Sequence, residues 1–337
     1  MKRSGYLLVL GAIALFSTIE VVSKYLQSGD GAAGQVGPAQ VATLRFLLGT
    51  SFILFLLLGQ GQGKYMAGAL KRDGLPIALM GAVGVFLTFF LLHEGIESTN
   101  ASTAAVIFSM NPVFTVLIAS LVLRERLGML GWLGVGLGLL GAFAAITGFR
   151  FSGLLSREDF FGSILVLVSA ATWSVYTVYG KRYSERYGSL VVSFLSMAAG
   201  SALLAALLAI QRGWGEVAGY GPRAWAWLLY LGVVTVGLGY ILYFEGMRRV
   251  PASRGASLFY LKPVLALLVA HWALDEPISH TLLLASLLVA LGILLVTLPR
   301  GVGRGSGAAD GGGSKVALGD NGLRRPGGRW YAGRSVL

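Results

Sequence analysis

Apolar residues run in blocks along this chain, and short polar segments separate them. Ten blocks cover roughly 6–26, 38–58, 75–93, 101–121, 129–148, 160–180, 189–210, 223–244, 255–274 and 279–298. About 20 residues rising 1.5 Å each cross a ~30 Å hydrocarbon core, so every block predicts a transmembrane helix. The blocks are continuous rather than alternating, which argues against a membrane β-barrel. Only 59–73, 149–159 and 211–222 leave room for more than a turn between spans. The first block follows Met1, Lys2 and Arg3, as a secretory signal would. It has no small-residue cleavage site and carries Glu20 and Lys24, so it is expected to stay as the first helix.

Composition points the same way. Apolar residues make up 55% and charged residues 12%, whereas a soluble domain carries roughly 25% charged residues. The chain has no cysteine, which excludes disulfides, thiolate chemistry and Cys-ligated metals. Three scattered histidines, His93, His271 and His280, do not form a metal site, so no cofactor is expected. The net charge of +12 invites a nucleic-acid reading. Placement argues otherwise, because most Lys and Arg lie between apolar blocks or in the tail. With the N-terminus in the cytoplasm, 13 basic residues from Lys2 to Arg254 fall in cytoplasmic loops, against Arg150, Arg157, Arg212 and Arg223 outside. The positive-inside bias thus predicts a multi-pass inner-membrane protein with both termini cytoplasmic. From Arg300 onward the chain turns Gly-rich and basic without apolar period. Segment 300–337 therefore reads as a disordered tail near anionic lipid.

The chain repeats itself. Residues 93–127 align with 244–278 at a constant offset of 151, with twelve identities that include Glu94/Glu245, Ser102/Ser253, Phe108/Phe259, Pro112/Pro263 and Glu125/Glu276. The first helices correspond at an offset of 157: Ala14/Ala171, Ser17/Ser174, Val21/Val178 and Lys24/Lys181. Each repeat holds five spans, and an odd number forces the second copy to lie upside down relative to the first. Matched charges agree. Arg124 and Arg126 correspond to Asp275 and Pro277, while Glu97 and Ser98 correspond to Arg248 and Arg249. The predicted fold is an all-α membrane protein of ten transmembrane helices, arranged as two inverted five-helix repeats.

Each repeat has a Glu just after its fourth span, in Leu123-Arg124-Glu125-Arg126-Leu127 and Leu274-Asp275-Glu276-Pro277-Ile278. With Ala14-Leu15-Phe16-Ser17, Ala171-Thr172-Trp173-Ser174, Leu44-Arg45-Phe46-Leu47 and the Gly-rich helix Gly131–Gly141, the chain resembles the EamA domains of the drug/metabolite transporter superfamily. The resemblance covers about 6–298, with one five-helix domain over 6–148 and a second over 160–298. It implies a ten-helix transporter with a central substrate path, often moving amino acids or other small metabolites out of the cell.

Ionisable groups within a bilayer are costly and normally face a cavity or one another. Glu20 and Lys24 have the spacing of an i,i+4 ion pair, with Ser17 on the same face. Arg45 lies at similar depth and is a second candidate partner for Glu20. These three are candidates for coupling, and a structural ion pair is the plainer alternative. Lys262 beside Pro263 matches Asn111 beside Pro112, both near mid-helix. Paired breaks in inverted halves point to a transporter's binding site, although a bare kink would give the same pattern. Lys262 would suit an acidic substrate group. Trp173/Tyr176 and Tyr240/Tyr243 each share a helix face; with Tyr260 they are candidates for lining a pocket or for packing. The candidate substrate residues are thus Ser17, Glu20, Asn111, Trp173, Tyr176, Tyr240, Tyr260 and Lys262. His93, Glu94 and His271 read as a polar cap near the outer face.

Several patterns mislead. Gly136-Leu137-Gly138-Leu139-Leu140-Gly141 fits G-x-G-x-x-G but sits inside an apolar helix with no strand before it. Gly134 and Gly138 instead predict a close helix contact, within the fold or between subunits, which leaves a homodimer open. Asn100-Ala101-Ser102 fits a glycosylation sequon, but Asn100 reads equally as a helix N-cap. The expected function is secondary transport: export of small metabolites such as amino acids, by alternating access between the repeats. No ATP-binding motif is present, so the drive is a substrate gradient or a coupled ion. A passive facilitator is one rival reading. A polytopic enzyme acting on lipid is the other, with His93/Glu94 its one acid–base candidate. The partners expected are a small-molecule substrate and membrane lipids, with no nucleic acid.

Overall fold

The structure is a computed structural model that describes residues 2–29, 35–122, 127–149, 158–250 and 258–298. Every regular element among the described residues is helical. Nine of these helical runs are long and apolar enough to cross a membrane, and Leu258–Leu274 is a shorter apolar helix at the place of the ninth span. The chain is a multi-pass membrane protein with ten helical spans. The tail 300–337 and the motif glutamate Glu125 lie outside the described residues.

Several spans are interrupted. The first consists of α1 (Lys2–Phe16) and α2 (Ile19–Ser28), parted at Ser17 and Thr18. The second is α3 (Pro38–Gly59), opened by a proline whose fixed φ suits a first turn. The third joins α4 (Gly63–Gly81) to α5 (Thr88–Ser98) through a π-helical turn at Ala82–Leu87. Here the expected loop over 59–73 is largely helical: α4 begins at Gly63 and kinks at Asp73, three residues before Pro76. The fourth span is split into α6 (Ala101–Phe108) and α7 (Asn111–Val122), and the fifth is α8 (Met129–Thr147). The sixth, α9 (Glu158–Tyr187), is unbroken, and α10 (Ser189–Ile210) is the seventh. After the short α11 (Trp214–Val217), the eighth joins α12 (Pro222–Leu229) to α13 (Gly239–Arg249) through a π-helical stretch at Tyr230–Leu238. The ninth passes from a 3-10 turn at Leu258–Leu261 into α14 (Lys262–Leu274), and the tenth is α15 (His280–Thr297).

Two kinds of interruption obey the repeat, whereas the break at Ser17 and Thr18 has no counterpart in the unbroken α9. Shifted by 151, the first π turn falls inside the second, and the start of α7 at Asn111 falls on the start of α14 at Lys262. The packing obeys it too. A Cβ at Gly95 in α5 would stand 2.6 Å from the Gly162 carbonyl in α9, and one at Gly246 in α13 would stand 2.9 Å from the Gly5 carbonyl in α1. These are the same contact in the two halves, since Gly5 matches Gly162 and Gly95 matches Gly246. Likewise Gly49 meets Gly232 and Val236, while its mate Gly200 meets Gly81 and Val85. Each half thus lends its first helix to the other half. Small residues let these backbones close up where lipid offers no hydrophobic drive. Thr50 and Ser201, exact mates at a separation of 151, share a hydrogen bond of 3.2 Å. Mates can touch only beside the axis that relates them, so this bond marks the pseudo-twofold axis. Gly134 and Gly138 pack on Gly292 of α15, so this small-residue contact lies within the fold.

Candidate functional site

The breaks in the first, fourth and ninth spans bring charge to the interface of the halves. Glu20 occupies the first turn of α2, immediately after the break at Ser17 and Thr18. Lys262 is the first residue of α14, where Pro263 suits an N-terminal turn because its missing N–H has no partner to lose. Lys262 Nζ donates to Glu20 Oε1 at 2.8 Å, and both side chains are almost fully buried, at 4% and 0% exposure. Glu20 therefore pairs with Lys262 and not with Lys24 or Arg45, the partners suggested by spacing and depth. Lys24 Nζ donates instead to the carbonyls of Ile96 and Glu97 at 2.9 Å each, at the end of α5. These last-turn carbonyls carry the negative end of the helix dipole, which explains their attraction for a cation.

Arg45 is 3% exposed and its Nε and Nη1 have no hydrogen-bond partner among the described residues. Its guanidinium lies over the rings of Phe89 at 4.9 Å and Phe46 at 5.3 Å. Lys262 Nζ lies 5.0 Å over Phe108. Phe89 joins the parts: its ring is 6.3 Å from Phe108 and 5.5 Å from Trp173, which in turn is 5.0 Å from Tyr176. Tyr240 is within electrostatic range of Arg45 and Tyr176, and packs edge-on to Phe16 at 5.8 Å. Ser174 Oγ donates to the Asn111 carbonyl at 2.8 Å, tying α9 to the start of α7. Ser17 Oγ donates to the Ile13 carbonyl at the end of α1. His93 is fully buried, and neither ring nitrogen has a partner among the described residues. Burial on α5 behind Gln27, whose amide donates to the His93 carbonyl, is the reason.

The candidates thus divide. Glu20, Arg45 and Lys262 gather with Phe89 and Phe108, while Trp173, Tyr176 and Tyr240 adjoin them. Tyr260 packs into the apolar core of the fourth, fifth, ninth and tenth spans, and Lys24 serves the end of α5. Phe89, Phe108 and Phe46 are missed by sequence reasoning. The identity Phe108/Phe259 is the one trace of them in the repeat. Glu276 is missed as well. Its carboxylate accepts from Ala101 N at 2.8 Å and Ser102 N at 2.9 Å, and from the Ser102 hydroxyl. It therefore caps α6 from the far end of α14, while Asn100 at the N-cap position makes no side-chain cap bond. The doubling of this glutamate in the repeat is the signal that pointed to it.

The repeat mates of Glu20, Arg45 and Lys262 are Thr177, Ser196 and Asn111. The symmetry of the backbone is consequently not a symmetry of charge. The neutral counterpart holds Tyr176, whose hydroxyl shares a 3.1 Å hydrogen bond with Ser196. On the face of the N-terminus, Arg186 and Tyr187 both donate to Asp73, at 2.7 and 2.5 Å, clasping the sixth span to the third. The bond to Asp73 holds the Tyr187 phenol above its ordinary range. On the opposite face, burial beside Glu216 pushes the Tyr220 phenol up to about 12. No group of three or more potential metal ligands occurs among the described residues.

The chain is similar to known transporters over most of its length. An uncharacterized transporter of Clostridium kluyveri is 28% identical over 297 residues, spanning 87% of this chain and 93% of the relative. The uncharacterized transporter YyaM of Bacillus subtilis is 22% identical over 290 residues, spanning 86% and 92%. A solved crystal structure matches with a TM-score of 0.58 at 23% identity, over 88% of this chain and 96% of the other, which shows a shared fold. The EamA-like transporter family matches residues 3–147 and 160–298, one match for each repeat, and the chain belongs to that family.

Proposed function

We propose that the chain is a secondary transporter of the inner membrane, with both termini in the cytoplasm, that exports small metabolites bearing an acidic group, amino acids among them. Alternating access comes from rocking the inverted repeats about the pseudo-twofold axis. The Glu20–Lys262 ion pair carries this reading: it joins helix starts from opposite halves, and the start at Lys262 is in repeat register with that at Asn111. Glu20, Arg45, His93 and Lys262 have almost no accessible surface, so this conformation closes the centre to both bulk phases. A transporter needs such an occluded state between its two open ones. Glu20, Lys262 and Arg45 hold and exchange charge with the cargo, Trp173, Tyr176 and Tyr240 contact its body, and Ser17 and Asn111 lie at the moving breaks. Lys24 steadies the far end of the first helix. Burial of His93 inside the helical unit disfavours the lipid-enzyme reading, which needs an acid–base pair at an interface.

The test is counterflow in proteoliposomes carrying purified protein without ATP, against a panel of amino acids and organic acids. At least one compound is expected to exchange faster than through protein-free vesicles. Absence of exchange across the panel contradicts the proposal.

A further inference from the structure

We infer that the closed centre is built for a small organic monoanion, a carboxylate on an apolar body, and that Arg45 is the carboxylate's partner. This deepens the transport reading and rests on it.

Among the described residues the buried acidic and basic side chains, His93 aside, are one carboxylate residue, Glu20, and two cationic residue types, Arg45 and Lys262. Lys262 is matched by Glu20 at 2.8 Å. Glu20 is also within electrostatic range of Arg45, but its one recorded ion pair is with Lys262, so Arg45 is the cation in excess, with Nε and Nη1 lacking hydrogen-bond partners among the described residues and the Phe46 and Phe89 rings beside it. A guanidinium presents its donors in a planar fork that fits a carboxylate, and a buried charge without a counter-charge is costly. The helix starts add to the surplus. α2, α7 and α14 begin at Ile19, Asn111 and Lys262, and each start carries about half a positive charge. His93, fully buried and within electrostatic range of Arg45, has both ring nitrogens unpaired, and a neutral imidazole keeps one N–H to donate.

The surplus discriminates between cargoes. A monoanion brings the centre to neutrality. A zwitterion or an amide leaves the positive charge as it was, and a dianion overshoots. The rings of Phe46 and Phe89 against Arg45, with Trp173 packed edge-on to Phe89, supply apolar contact for the rest of the molecule. The inverted mate of Arg45 is Ser196, already bonded to Tyr176, so the anion seat exists once and not twice.

The test uses the full chain purified in detergent and reads the thermal-unfolding midpoint during titration. The probes are acetate, 3-methylbutanoate and phenylacetate, their three amides, and glycine, leucine and phenylalanine. At least one apolar carboxylate is expected to bind about tenfold or more tightly than its own amide and its amino acid. Arg45→Gln is expected to abolish that preference, and Arg45→Lys to keep it at weaker affinity. The lysine variant decides the question if the glutamine variant does not fold. The inference is overturned if no carboxylate outdoes its amide, if the amino acids bind as well as the acids, or if Arg45→Gln keeps the preference. Flux separates the two readings. Carboxylates that bind but cross proteoliposomes no faster than protein-free vesicles overturn transport and support the anion seat. Amino acids that cross without any carboxylate preference overturn the seat and support transport.

Discussion

Lys262 Nζ donates to Glu20 Oε1 at 2.8 Å across 242 residues of sequence, and no other ion pair recorded among the described residues is fully buried. Removing one member of a buried pair strands the other, at a cost of roughly 3–5 kcal/mol. Lys262→Gln is therefore expected to unfold well below wild type in detergent and to lose transport. Glu20→Gln in the same chain should restore more than half of the lost stability, because neither position then carries a charge. Strictly additive losses in this double-mutant cycle would show that the two side chains do not couple.

Glu276 holds the start of α6 by accepting two backbone N–H bonds. Loss of a helix cap costs about 0.5–2 kcal/mol. Glu276→Ala should lower thermal stability within that range, while Ser102→Ala, which keeps both backbone bonds, should lower it less. Equal stability of Glu276→Ala and wild type would remove the cap.

The glycine contacts are steric. A methyl at Gly95 or Gly246 meets a carbonyl of the neighbouring helix within 3 Å, whereas a methyl at Gly136 meets nothing within 4 Å. Overpacking of a close contact costs about 1–3 kcal/mol. Gly95→Ala and Gly246→Ala should destabilise to similar extents, as repeat mates, and Gly136→Ala should be silent. Thermal melts of the three variants check this.

Much of this architecture is legible in the sequence because it rests on local or repeated information. Span lengths follow from apolar runs, and inversion follows from an odd repeat, so the number and relation of the helices need no coordinates. The breaks at Asn111 and Lys262 are equally local, each marked by the proline that follows. Pairing is different. Glu20 has Lys24 one turn away, and spacing alone favours that partner. The structure turns Lys24 toward the carbonyls ending α5 and brings Lys262 to Glu20 from the other half. Tertiary contact across the inverted repeats decides this, and no helical period encodes it. For the same reason Phe89 looked like one more apolar residue, although it links Arg45 to Trp173.

Topology gives a further expectation. The proposed orientation predicts that a reporter fused after residue 300 is active only if it works in the cytoplasm. A periplasm-dependent reporter that is active at that position would reverse the orientation.

The chain has no native cysteine, which allows a direct measurement of alternating access through the buried centre. Ser17 is fully buried at the break between α1 and α2, beside Glu20. A Ser17→Cys variant in oriented vesicles can be treated with a membrane-impermeant thiol reagent from one side at a time. Alternating access predicts slow labelling from either side, slowed further by whichever compound the transporter exchanges. Labelling from neither side, or from the same single side under every gradient and ligand, would contradict the account.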